Sequence, residues 1–377
     1  MTFLFLLASA VLVQTYLGYI FSLFMLKAVL GDRSRHTMGQ SLPTVTLVIS
    51  VYNEEAVLRS KIENSLALDY PPELLQRVVL SDGSTDRSDE IVREYADRGI
   101  QLQSFPGRRG KVARLNELLP EVQSQIIVLS DANSIYEPMS IRTLVRHFAD
   151  PRVGCVCGAL EYVNPLKLAS GEGERFYWNY EKRLKNLESS LGSLLGANGA
   201  IYAFRTKLFR AVDPLMFCDD VIPIRISIDG YLTLYDPEAR CTEESPGEGA
   251  EMRRRRRHAS FGLRSMLRMI REAAVKRRVL ITYQIVSHRI VRWLGGVSLM
   301  AALFSSPFLP VPWRVLAFGI QAIYYGCAML GFVLSRTGRG GGPFYLAYYH
   351  LVISLAGMRG LVAFVRGSDQ PHWEPRQ

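Results

Sequence analysis

From Pro43 onward, short aliphatic runs recur about every 25 to 30 residues with amphipathic stretches between them, and few folds accommodate that spacing. Thr44 to Val51, Arg77 to Leu80, Ile100 to Ser104 and Ile126 to Leu129 read as strands. Glu54 to Leu66, Asp86 to Ala96, Lys111 to Leu118 and Ser140 to Phe148 read as helices. Short apolar strands separated by helices are buried on both faces by βαβ crossovers, so the expectation is an α/β domain with a mostly parallel, doubly wound sheet. Beyond Pro151 the alternation loosens. A strand is expected at Val153 to Leu160, a long helix around Gly173 to Leu191, strands at Ala200 to Phe204 and Tyr231 to Tyr235, and a helix opening at Cys218-Asp219-Asp220.

The chain is 48% hydrophobic yet 21% charged, which requires apolar and polar segments to be segregated. Phe3 to Leu26 runs 24 residues without a charge, enough for a helix to cross a bilayer. No charged amino-terminal region or AxA-like cleavage site accompanies it, so it reads as a retained anchor rather than a signal peptide. Lys27, Arg33 and Arg35 follow at once, which directs the next domain to the cytoplasm. Near the other end, Val315 to Leu334 is a charge-free run of 20 residues, Leu294 to Leu309 contains Pro307, and Phe344 to Val365 carries His350 and Arg359. Two or three further spans are expected there, preceded by an amphipathic Ser260 to Ile290 that suits the headgroup plane.

Five segments result: an anchor and linker over 1–40, the α/β domain over 41–250, a basic interfacial segment over 251–292, membrane helices over 293–366 and a tail over 367–377. The formal net charge of +10 owes much to Arg253 to Arg257 and the basic residues after them. Such a face suits anionic headgroups or diphosphates, whereas the lack of interleaved aromatics argues against nucleic acid. Five cysteines without paired CxxC spacing indicate neither a disulfide framework nor a zinc site.

Three strand ends are conspicuously polar: Tyr52-Asn53-Glu54-Glu55, Ser81-Asp82-Gly83-Ser84-Thr85-Asp86 and Asp131-Ala132-Asn133. Ligands of open α/β sheets collect at the carboxyl ends of strands. Asp131 and Asn133 offer oxygens to Mg²⁺ or Mn²⁺, the ions that escort a diphosphate. Asp82 offers an acceptor to a base ring NH, and Glu54 one to a ribose. Each also has a local reading, with Asn53 capping its helix and Ser84, Thr85 or Asp86 capping the next. Neither GxGxxG nor GxxxxGK[ST] follows any strand, which disfavours dinucleotide and P-loop folds.

VYNEE at 51–55, SDGSTDRS at 81–88, GKVARLN at 110–116, SDANS at 130–134 and CDD at 218–220 together resemble the family 2 glycosyltransferases of the GT-A fold. More narrowly they look like the membrane-bound bacterial members related to cellulose, hyaluronan and poly-N-acetylglucosamine synthases. The likeness covers about residues 43–260, and the flanking apolar segments match that subgroup. It implies a multi-pass inner-membrane protein with a cytoplasmic catalytic domain that moves a sugar, with inversion, from a UDP-sugar to a saccharide or lipid-linked acceptor. By position, Tyr52, Glu54 and Asp82 would hold uracil and ribose, and Lys111 would lie near the diphosphate. Asp131 would bind ribose or metal with Asn133, and Asp220 would be the general base.

Three departures stand out. Asn133 replaces the second acid of the usual DxD, Ser81 the first acid of the usual DDGS, and RRRRRHASFG at 253–262 occupies the place of a QxxRW motif, so leaving-group contact falls to Arg256 or Arg257. The basic run has an equal reading as a lipid-facing patch, and the acid pair as a helix amino terminus. A transferase adding one sugar to a polyprenyl phosphate needs the same donor pocket, and an inactive GT-A scaffold is the non-enzymatic alternative.

Overall fold

The computed structural model describes residues 1–163, 171–244, 248–336 and 343–366, with the side chains of 16, 171–178, 248–261 and 343 left out. The chain begins with α1 (Thr2–Val13) and α2 (Tyr19–Leu30), joined by a π-helical turn at Gln14–Gly18. The α/β domain follows as β1 (Val45–Val51), α3 (Glu55–Leu66), β2 (Leu75–Ser81), α4 (Ser88–Arg93), β3 (Ile100–Ser104), α5 (Lys111–Leu118) and β4 (Ile126–Asp131). It continues as β5 (Ile135–Tyr136), α6 (Ser140–Val145), β6 (Val153–Val163), α7 (Gly171–Ser190), β7 (Tyr202–Arg205), α8 (Cys218–Ile228) and β8 (Leu232–Glu244). Helices complete the chain: α9 (Glu248–Val275), α10 (Val279–Gln284), a second π segment at Ile285–Ile290, α11 (Val291–Trp293), α12 (Gly295–Ser305), α13 (Val311–Arg336) and α14 (Pro343–Val365).

The eight strands form one sheet in the order β3-β2-β1-β4-β7-β6-β8-β5. The β3-β2-β1-β4 half is parallel, as the βαβ spacing requires. The other half is mixed, because β7 runs antiparallel between β4 and β6 and the two-residue β5 closes the far edge on β8. β6, β7 and β8 lie past Pro151, where the sequence pattern loses its period.

Both faces are covered. Leu58, Ile62, Ile91, Ile141 and Leu144 of α3, α4 and α6 pack on one side. Leu115, Val221, Met266, Met269 and Ile281 of α5, α8, α9 and α10 pack on the other. This is why β1 and β4 read as continuous apolar runs rather than alternating ones.

The amino-terminal apolar run, expected as one anchor, is divided into two helices of 12 residues each, shorter apiece than a membrane span. Tyr19 and Leu23 are 0% exposed, packed on Leu184, Leu187 and Leu191 of α7. One face of α2 is thus covered by protein, while Phe21, Phe24 and Met25 on its other side stay half or more exposed. At the other end α13 and α14 are each long and apolar enough to cross a membrane. The pair Val279–Trp293 and Gly295–Phe308, bent by 58°, reaches that length only when joined.

Candidate functional site

Pairing register sets Val51 level with Ser81, and Ser50 level with Asp131, so the polar tails of β2, β1 and β4 emerge side by side. Their turns are stapled together. Asn53, in the left-handed region at φ 53°, accepts the Thr85 amide N–H at 2.8 Å and donates to Thr85 Oγ1 at 3.1 Å. Its side chain therefore joins two turns and does not cap α3, contrary to the local reading of the sequence. Asp86 supplies the cap from across, accepting the amides of Glu55 (3.1 Å) and Ser88 (3.0 Å), while Ser88 Oγ accepts the Glu54 amide at 3.0 Å.

Asp82 is only 6% exposed and organises the segment after β3. Its Oδ1 accepts the Arg109 amide (2.9 Å) and Arg114 Nε (2.8 Å), and its Oδ2 accepts the Gly110 amide (2.7 Å). Arg114 is itself 3% exposed. Three donors already engage this carboxylate, so Oδ2 has the greater capacity left for a base NH. Arg108 lies 4.2 Å over the Tyr52 ring, which places a second cation-bearing loop residue at the mouth of the same turn. Removing a partner from a buried ion pair is costly, so Asp82→Ala is expected to lower stability by about 3 kcal/mol. Denaturant titration of the solubilised protein checks this, and an unchanged midpoint would show that Asp82 does not hold the loop.

On the other side of β1, Lys111 Nζ, at the start of α5, is 2.8 Å from Asp131 Oδ1 and 3.9 Å from Asp219 Oδ1. Burial alone would lower the Lys111 ammonium, but the two carboxylates outweigh it and hold the pKa above its ordinary value. Gly199 closes this group, since a Cβ there would stand 2.6 Å from Asp219 Oδ2 and 3.3 Å from Asp131 Oδ2. The turn carrying Asp131 and Asn133 is supported from below by α3. Lys61, 1% exposed, donates to the Ser134 carbonyl and sits 4.1 Å over the Tyr136 ring, while Asn64 brackets the Tyr136 backbone. Burial depresses the Lys61 ammonium to about 7, against the opposing pull of Cys241, Asp131 and Glu243.

Among the described residues no three His, Cys, Asp or Glu side chains gather into a closed metal cage. The donor set is instead an open one. Asp131 and Asp219 share the Gly199 corner, and Asn133 Nδ2 is buried without a hydrogen-bond partner. Turning the Asn133 amide over presents its oxygen at that position. One or two carboxylates plus phosphate oxygens are how Mg²⁺ and Mn²⁺ are usually held beside a diphosphate, and this set fits such an ion.

Asp220 lies in the first turn of α8, which is fixed to α9 by the bidentate Arg225–Glu272 pair (3.1 and 3.0 Å) and by Phe217 N–H on Ser265 Oγ (3.1 Å). Burial raises the Asp220 carboxyl, Arg289 opposes the rise and the neighbouring Asp219 adds to it. Burial, more than the acid pair, is thus the larger influence. Arg289 Nη2 reaches Asp220 Oδ1 at 3.3 Å and the Leu195 carbonyl at 2.6 Å. Gly196, at φ 133°, passes between them: a Cβ there would stand 2.6 Å from Asp220 Oδ1 and 2.7 Å from Arg289 Nη2.

The structure gathers Lys111, Asp131 and Asp219 into one cluster, sets Asp82 and Tyr52 on the neighbouring strand ends, and brings Asp220 to Arg289. Arg256 and Arg257 fall in α9, and their side chains lie outside the described residues. Two residues of the site escaped the sequence reading, Asp219 as a contact of Lys111 and Arg289 as the partner of Asp220. A signal for the second was present: Arg289-Ile290-Val291-Arg292-Trp293 has the spacing of QxxRW with Arg in place of Gln. That stretch lies about 30 residues beyond the basic run, in the second π segment and α11.

A sequence profile described as glycosyl transferase family 2 matches residues 46–213. A probable glycosyltransferase of Bacillus subtilis is 26% identical over 228 residues, 55% of this chain and 52% of its own. A beta-monoglucosyldiacylglycerol synthase of Synechocystis is 30% identical over 118 residues, 30% of this chain and 25% of its own. The chain thus spans about half, or less, of the length of these relatives. Among solved structures, a mannosyltransferase of Pyrobaculum calidifontis in complex with GDP-Man and Mn²⁺ superposes with a TM-score of 0.70 at 21% identity, covering 94% of this chain and 99% of that one.

Proposed function

The chain belongs to glycosyltransferase family 2 through its residues 46–213, and from that premise we propose a membrane-held, inverting transferase that takes its sugar from a UDP-sugar. The acceptor in this reading is a saccharide or lipid-linked molecule at the cytoplasmic face of the inner membrane, in exopolysaccharide or glycolipid synthesis. The single observation that carries it is the convergence of Asp131, Lys111 and Asp219 around Gly199, with Asp220 on the next residue of α8.

The roles follow from charge. Asp82 accepts the ring NH of the base, with Tyr52 and Glu54 beside base and ribose. Asp131 and Asn133 would hold Mg²⁺ or Mn²⁺, which when bound supplies charge stabilisation for the diphosphate. Negative charge grows on that diphosphate as the anomeric carbon departs, and the Lys111 ammonium is held protonated to meet it. Arg256 or Arg257 is assigned to the same task. Asp220 takes the proton from the acceptor hydroxyl as its oxygen attacks from the opposite face, and the single displacement inverts the anomeric centre. Arg289 orients Asp220 and supports its ionised form.

α13 and α14 are suited to hold the protein in the bilayer, with the basic run Arg253 to Arg257 at the headgroups. The test is a panel of UDP- and GDP-sugars given to membrane fractions with Mn²⁺ or with EDTA, reading released nucleotide and product length. UDP-sugars are expected to turn over and EDTA to remove at least about nine-tenths of the rate. Turnover that persists unchanged in EDTA would sink the metal assignment, and release from GDP-sugars alone would sink the choice of base.

A further inference from the structure

Glu188 of α7 is 1% exposed and lies outside the transfer machinery just described, yet four elements meet on it. Its Oε1 accepts the Tyr19 hydroxyl of α2 at 2.7 Å and is 2.6 Å from His288 Nδ1 in the second π segment. Its Oε2 accepts the Leu195 amide at 3.2 Å. The Tyr19 and His288 rings are 5.0 Å apart, so the three side chains form one packed unit.

Both of the other partners lead directly to the site. His288 is the residue before Arg289, and the carbonyl of Leu195 accepts from Arg289 while its amide is held by Glu188. Glu188 therefore grips Arg289 twice, through the preceding residue and through Leu195, whose carbonyl Arg289 binds. The two π segments also pack on one another, and Tyr283 donates to Ser22 Oγ at 2.5 Å, which repeats the tie between α2 and this helix. Single π turns inside α-helices are rare and frequently sit at functional sites.

We propose that Tyr19 and Glu188 are positioning residues of the transferase, through which the amino-terminal helix sets Arg289 against Asp220. The helix then serves catalysis as well as attachment. A buried carboxylate with three donors has one geometry, and a displacement of about 1 Å at a reacting centre is worth up to about 100-fold in rate. The inference rests on the role given to Arg289 above, so the experiment separates the two.

Turnover is measured for Glu188→Gln, Arg289→Gln, the double variant, Tyr19→Phe, and Tyr19→Phe combined with Arg289→Gln. Glu188→Gln is expected to lower kcat about 10- to 100-fold with donor KM within about 3-fold. In the Arg289→Gln background it should cost less than about 3-fold more, since groups acting as a unit are not additive. Tyr19→Phe removes one hydroxyl, keeps the packing and guards against misfolding of the Glu188 variant. It is expected to lose about 3- to 10-fold alone and nothing further beside Arg289→Gln. Losses that multiply in the double variants would overturn the inference while leaving Arg289 its role. Wild-type turnover of Arg289→Gln would remove both.

Discussion

Asp220→Asn is expected to reduce kcat by about 100- to 10,000-fold while leaving donor affinity within a few-fold of wild type, the loss associated with a missing general base. The amide keeps the size of the side chain and its place in the first turn of α8 but accepts no proton. The pH profile gives a second reading. Burial raises the Asp220 carboxyl above the ordinary aspartate value, so the active, ionised form disappears as pH falls through that raised value. The acidic limb of kcat should accordingly lie above that of a solvated aspartate. Arg289 opposes the rise, so Arg289→Gln should carry the limb further upward. Steady-state kinetics across pH 4 to 9, an interval of roughly five units around ordinary carboxylate and imidazole values, decide the matter. Full activity in Asp220→Asn would place the base elsewhere.

Gly196→Ala should be nearly as damaging through a different cause. At φ 133° an alanine is strained, at an order of 1 to 3 kcal/mol. Its methyl group would also stand 2.6 Å from Asp220 Oδ1 and 2.7 Å from Arg289 Nη2, closer than either atom tolerates. Relief requires the two to part, which breaks the ion pair and moves the Asp220 carboxylate. A loss of at least about 100-fold in kcat is expected, with a melting temperature lower by several degrees. Retention of more than half of the activity would mean that Asp220 and Arg289 need not stay in contact. Gly199→Ala offers a comparison at the other cluster, where Asp131 and Asp219 would be displaced.

How far the fold could be read in advance depended on whether neighbours in sequence were also neighbours in space. The parallel half was legible because β1, β2, β3 and β4 are joined by βαβ units of regular length. β7 was located as a strand, but nothing local says that it inserts antiparallel between β4 and β6, and β5 is too short to leave a pattern. In the site, Asp82, Asp131 and Asp220 stood out as acids at strand or helix ends. Arg289 did not, because it lies 69 residues from Asp220 in a stretch whose period speaks of an interfacial helix. Its Arg-x-x-Arg-Trp spacing is present in the sequence, but the run at Arg253 to Arg257 is the denser concentration of positive charge.

The docking of α2 on α7 also limits how this protein can be trimmed. A fragment beginning at Pro43 would lack Tyr19 and Leu23 and leave Leu184, Leu187 and Leu191 facing water as an open apolar strip. Such a strip seeks another surface, whether detergent, a chaperone or a second fragment. Preparing the enzyme without α1 and α2 therefore exchanges an intramolecular cover for an intermolecular one.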